Sequence, residues 1–181
     1  MVEATADGFG AAGAGRDDLE AGGAPTVDAG RFREVLGHFV TGVTVVTAME
    51  EGEPVGFTCQ AFTSLSLDPP LVALAPGKSS TSWPRIAAAG AFCVNILADD
   101  QEALSRDFAV SGGDKFTGVG WHPAGNGAPV LDGALAWVEC AFVVSYDAGD
   151  HELVIGRVQD MGVGRGRPLV YYRGGFGQFE S

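Results

Sequence analysis

The chain has 181 residues, 23 of them acidic and 11 basic, for a formal net charge of −12. That balance weighs against nucleic acid and against anionic membrane surfaces as partners, and no apolar run is long enough to span a bilayer. The three cysteines, Cys59, Cys93 and Cys140, stand far apart without a CxxC or a histidine-rich neighbour, so neither a disulfide framework nor a metal site is expected.

Residues 1–27 are rich in Gly and Ala, carry Asp7, Asp17, Asp18 and Glu20, and show no periodicity. They read as a disordered tail ahead of one domain, residues 28–181. The start lacks a basic stretch followed by an apolar core, so it is not a secretory signal and a cytoplasmic location is expected. The domain opens with a helix that Asp28 can cap, placing Phe32, Val35, Leu36 and Phe39 on one face. Strand-like segments follow at 43–48, 71–75, 91–97, 135–146, 151–158 and 169–173. In the longest, Val138, Cys140, Phe142, Val144 and Tyr146 alternate with Trp137, Glu139, Ala141 and Ser145, which predicts one apolar face. Ala148-Gly149-Asp150 reads as a hairpin connection. Two short helices are predicted between strands. One starts near Thr81 or Ser82, has Pro84 in its first turn and stops at Gly90; the other starts near Asp99 or Asp100 and ends before Gly112-Gly113. Many strands, few helices and no βαβ alternation predict a mainly β, antiparallel barrel, and no GxGxxG follows a strand.

The chemistry concentrates in a few places. From Gly56 to Leu71 the chain packs Thr58, Gln60, Thr63, Ser64 and Ser66 among Phe57, Phe62 and Leu65, then meets Pro69-Pro70. Short hydrogen-bonding groups among apolar ones suit a planar ligand with a polar edge, and flavin is the obvious candidate. Lys78-Ser79-Ser80-Thr81-Ser82 offers a cation and four hydroxyls ahead of a helix, a natural phosphate site or a helix cap. Asp114-Lys115-Phe116 follows a Gly-Gly turn; Lys115 reads as a phosphate partner or a solvated lysine, Phe116 as a pocket wall or a core residue. His151 follows Gly149-Asp150 at the start of a strand, where a side chain can face a cleft. Tyr171-Tyr172-Arg173-Gly174 closes the chain, and its glycines allow a backbone to approach a ligand.

Four of these, the Thr58 to Leu71 segment, Asp114-Lys115-Phe116, Gly149-Asp150-His151 and Tyr171-Tyr172-Arg173-Gly174, in this order, resemble the flavin reductase-like family, including the small reductases that serve two-component aromatic monooxygenases. The resemblance runs from Phe32 to Phe179. It implies a split β-barrel, FMN-binding and Greek-key-like, with a few short helices, that forms a homodimer around its flavin sites. It also implies FMN or FAD as cofactor, NADH or NADPH as hydride donor, and a partner oxygenase that receives reduced flavin by diffusion. The segment Thr58, Cys59, Gln60, Ala61, Thr63, Ser64 and Ser66 would line the isoalloxazine ring. Ser79, Ser80 and Thr81 would contact its phosphate, with Lys115, Phe116, Tyr172 and Arg173 close by. His151 would stand on the nicotinamide side as the catalytic position. Cys59 carries no evident base or cation to activate it, so it has no redox role. The rival readings are a non-catalytic flavin-binding protein for storage or sensing, an oxidase of the pyridoxamine-phosphate type, which wants more cations, and a haem protein using His38, His122 or His151.

Overall fold

The computed structural model describes residues 27–179, so the expected tail lies outside the described residues except for Val27. In chain order, α1 (Ala29–Leu36) leads into β1 (Thr41–Gly42), β2 (Thr44–Glu50), β3 (Glu53–Cys59), β4 (Phe62–Leu67) and β5 (Pro70–Leu74). Then come α2 (Trp83–Ala89), β6 (Ala91–Ile96), α3 (Glu102–Ala109), β7 (Trp121–Pro123) and β8 (Pro129–Leu131). The chain closes with β9 (Ala136–Ala148), β10 (His151–Val163), β11 (Leu169–Tyr172) and β12 (Gly175–Gln178).

Seven strands form one antiparallel sheet in the order β3-β2-β6-β9-β10-β5-β4. The consecutive strands β3 and β4 lie at its opposite edges, although only residues 60 and 61 separate them. A flat seven-stranded sheet is about 29 Å across at about 4.8 Å per strand, yet Cys59 and Phe62 can stand no more than about 11 Å apart along the chain. The sheet must therefore curl until its edges nearly meet at this end of the strands. No ladder joins β3 to β4, so the barrel is split rather than closed.

One face of the sheet buries Val46, Val72, Phe92, Val94, Cys140 and Val154 with Trp83 and Ile86 of α2. Gly156 is needed there, because a Cβ would lie 2.6 Å from the Phe92 ring. On the opposite face β7 and β8 are fastened through buried polar groups. Asn95 Oδ1 accepts from the Leu131 N–H (2.8 Å), and the Thr47 hydroxyl and the Asn95 amide donate to the Pro129 carbonyl. These bonds satisfy groups whose burial unpaired would be costly. Cys140 faces the first core and Cys93 the second, so adjacency on β9 and β6 does not let them pair; all three thiols are free.

Several expectations need correction. The Asp99 carboxylate does not cap α3; it pairs with Arg167 (2.9 Å), and the cap residue is Gln101, whose side chain bonds Ala98 and Asp132 rather than the helix. The even apolar face expected along β9 breaks at Val143, an extra residue between the pairs Ile155↔Val144 and Gly156↔Phe142. The bulge turns Val144 and Tyr146 to the face opposite Phe142. A second irregularity between Val158 and Asp160 hides the period of β10, which runs to Val163 rather than stopping at Val158. The hairpin turn stands as expected, with Gly149 at φ +73°.

Candidate functional site

The seam between the two sheet edges holds a cavity of about 710 Å³. Residues 58–63 cross it from β3 to β4 and form one wall. Register then decides what faces it. On β4, β5 and β10, Phe62, Leu74 and Val154 turn to the core, while Thr63, Ala73 and Ile155 turn outward together. His151 and Leu153 follow at alternate positions of β10, so they share that outward face and line the cavity.

The loop between β5 and α2 closes another side and is tied to the β9–β10 hairpin. The Lys78 N–H donates to the Asp150 carbonyl (2.9 Å), and the Glu152 N–H to the Pro76 carbonyl (3.0 Å). Lys78 Nζ also bonds Asp147 Oδ1 at 2.8 Å. These contacts fix Ser79, Ser80 and Thr81 beside His151, bringing the hydroxyl cluster and the histidine into one pocket. Ser80 also serves the helix: its Oγ accepts from the Trp83 N–H at 3.1 Å. The His151 Nδ1 contacts Asp150 Oδ1 at 2.7 Å, which fixes the ring, and the His151 interaction holds the Asp150 carboxyl below its ordinary range. The Nε2 edge lies over Gly77, where an added Cβ would come within 3.7 Å of it.

Lys115 is half-buried and fully engaged. Its ammonium donates to the Phe108 carbonyl (3.1 Å), the Gly56 carbonyl (3.2 Å) and, at 3.5 Å, the Ser82 hydroxyl. Burial lowers its pKa from the usual lysine value. It therefore acts as a fixed positive charge in the wall and staples β3 to the ends of α2 and α3. Thr58 does similar work, its hydroxyl donating to the Ser105 carbonyl of α3 at 2.6 Å. Gln60 spans the mouth, donating to the Thr41 hydroxyl at 2.8 Å. Cys59 lines the cavity as a closed thiol, pushed up to about 11 by burial.

Of the expected site residues, Thr58, Cys59, Gln60, Ala61, Thr63, Ser79, Ser80, Thr81, Lys115 and His151 all line this one cavity. Ser64 and Ser66 lie on β4 away from its lining, and Phe116 packs against Phe108 with ring centroids 5.0 Å apart. Tyr172 and Arg173 lie at the β11–β12 turn, where Arg173 takes φ +50° and its N–H donates to the Gly37 carbonyl. Sequence reasoning missed the mouth: Phe39 behind α1, and Val110 and Ser111 behind α3. Phe39 alone carried a signal, as the last apolar residue of the face expected for the opening helix; the helix in fact stops at Leu36 and leaves Phe39 beyond its end.

A volume of this size suits a whole small-molecule ligand. Apolar walls from Ala73, Leu74 and Leu153 beside a rim of hydroxyls and backbone edges fit a tricyclic ring bearing a phosphorylated side chain. The chain matches the family described as "Flavin reductase like domain" over residues 36–180 and belongs to that family. It is 45% identical over 152 residues to the reductase subunit HsaB of a flavin-dependent monooxygenase from Rhodococcus jostii, covering 83% of this chain and 78% of that one. It is 43% identical to the FMN reductase (NADH) SmoA of Agrobacterium fabrum, with 82% and 84% covered. Among solved structures, the NADH:FAD oxidoreductase SgcE6 of Streptomyces globisporus, in complex with NAD and FAD fragments, superposes with a TM-score of 0.79. It shares 38% identity over 87% of this chain and 98% of that one.

Proposed function

We propose that the protein is an NAD(P)H:flavin oxidoreductase that supplies reduced flavin to a partner oxygenase. The observation that carries this reading is the convergence of the 58–63 strip, the Ser79–Thr81 hydroxyls, Lys115 and His151 on one cavity. Bound flavin, FMN or FAD, supplies a two-electron acceptor at N5 for hydride from nicotinamide C4. The chain's own work is to orient. The hydroxyl cluster and the Lys115 charge hold the phosphate end, and the outward face of β10 presents His151 to the nicotinamide. No strong base is asked of the chain, because hydride transfer would carry no proton for a side chain to remove. His151, fixed by Asp150, positions the donor. The likeness to a monooxygenase reductase subunit supports the partner, served by diffusion through the open seam.

The protein works as a cytoplasmic homodimer in this reading. Phe32, Val35, Leu36 and Phe39 form an apolar stripe 54 to 76% exposed, and α1 buries no residue in the single chain. A stripe of that kind needs a cover.

The deciding experiment follows NADH and NADPH oxidation by the purified protein with added FMN, FAD or riboflavin. Rapid turnover with a flavin preference upholds the reductase. Tight flavin binding without turnover above the uncatalysed rate would replace it with a binding protein.

A further inference from the structure

A second cavity, of about 230 Å³, adjoins the first and shares Thr81, Ser82 and Lys115 with it as a common wall. Its volume falls below the roughly 300–1,000 Å³ of pockets that take a whole small-molecule ligand. A ligand group that entered it would be part of a molecule whose remainder lies next door. The annexe lies beside the hydroxyl end of the main cavity. None of its lining residues belongs to β10, so it stands away from the end where His151 meets the hydride donor.

We propose that this annexe receives the adenosine monophosphate half of a flavin dinucleotide, and that Arg85 holds its second phosphate. The inference rests on the flavin reading above. Arg85 lines the annexe from α2, and its Nε is taken by the Glu50 carboxylate. That leaves the two terminal nitrogens of the guanidinium for a planar, bidentate phosphate contact. The acid at the rim keeps its negative charge, which donors of its own turn offset in part. Asp114 is turned onto its own turn, accepting from the N–H groups of Phe116 (2.9 Å) and Thr117 (3.2 Å) and from the Thr117 hydroxyl. Lys115 places its charge in the shared wall, where two linked phosphates would meet. Pro54 and Val55 provide apolar floor, and Gly112 and Gly113, both at φ +75°, present bare backbone beside it.

Equilibrium titration of FMN and FAD into wild type, Arg85→Glu and Glu50→Gln tests this, with melting curves to verify folding. Wild type is expected to bind FAD more tightly than FMN. Arg85→Glu should weaken FAD by about tenfold or more while FMN changes by less than about twofold. Glu50→Gln, which keeps Arg85 and removes its carboxylate, should bind FAD at least as tightly as wild type. Equal affinities in wild type, parallel weakening of both flavins, or unchanged FAD binding in a folded Arg85→Glu protein would overturn the proposal. Arg85→Gln carries the same test if the charge reversal melts early. Failure of wild type to bind either flavin would sink the flavin reading itself, a separate outcome.

Discussion

His151 and the three cysteines show how position decides what a reactive side chain does. His151 is at the first residue of β10, half-exposed, with its ring fixed by Asp150 and its face set by strand alternation. His151→Ala should raise the KM for NADH about tenfold while the flavin Kd stays put, since it removes one oriented contact. A variant with wild-type kinetics would return the residue to a structural role. The cysteines are the opposite case. Burial pushes Cys59 from its ordinary 9.0 up to about 11, and Cys93 and Cys140 up to about 12. The folded chain thus keeps protons that the unfolded chain releases above pH 9. This stabilisation is complete below that pH and is lost as pH rises through the folded values, at most about 1.4 kcal/mol per thiol per unit. Urea midpoints should fall from pH 9 to pH 11, and replacing all three cysteines by Ala should flatten the slope. An equally steep slope in that variant would remove the thiols as the cause.

At the level of elements, the helices and apolar strands are legible because their periods are. α2 carries Pro84 in its first turn and stops at Gly90 in the left-handed region, as its punctuation predicts. Strands β3 and β4 are not legible in the same way. Their hydroxyl-rich sequence resembles a binding loop, and the motif that identifies the site conceals the strands that carry it. The bulge at Val143 was also out of reach, because one inserted residue leaves the composition of β9 unchanged while reversing its faces. Helix α3 holds a local inconsistency that tertiary structure left in place. Ser105 is 1% exposed, and its hydroxyl has no partner, the single such buried side-chain atom among the described residues. Ser105→Ala removes an unsatisfied group and improves helix propensity, while the backbone carbonyl that Thr58 uses is kept. We expect stabilisation of about 1 kcal/mol in urea unfolding; destabilisation would show that the hydroxyl has a partner after all.

For the molecule as a whole, the apolar stripe on α1 and the seam between sheet edges define its two incomplete surfaces. The stripe was readable as a helix face, and what it packs against was not, because periodicity reports a face and never its cover. Leu36→Glu places a charge at the centre of the stripe, where the single chain leaves it 55% exposed. Light scattering should find the wild type at twice the chain mass and the variant shifted toward one chain mass, with the fold kept by circular dichroism. A wild type that runs as a monomer would remove the dimer.

The two-residue link at 60 and 61 has a further consequence, for the order of folding. β2 with β3, β4 with β5, and β9 with β10 are each local hairpins, cheap to close early. The β3–β2 hairpin reaches the β5–β4 hairpin across the sheet only through β6, β9 and β10, which arrive much later along the chain. The cavity wall between Cys59 and Phe62 therefore takes its final shape when the most sequence-distant pairings of the seven-stranded sheet, those of β10 with β5 such as Val154 with Leu74, are in place. A ligand bound there has nothing to grip in any earlier, partly assembled state, so its whole affinity is added to the stability of the finished fold.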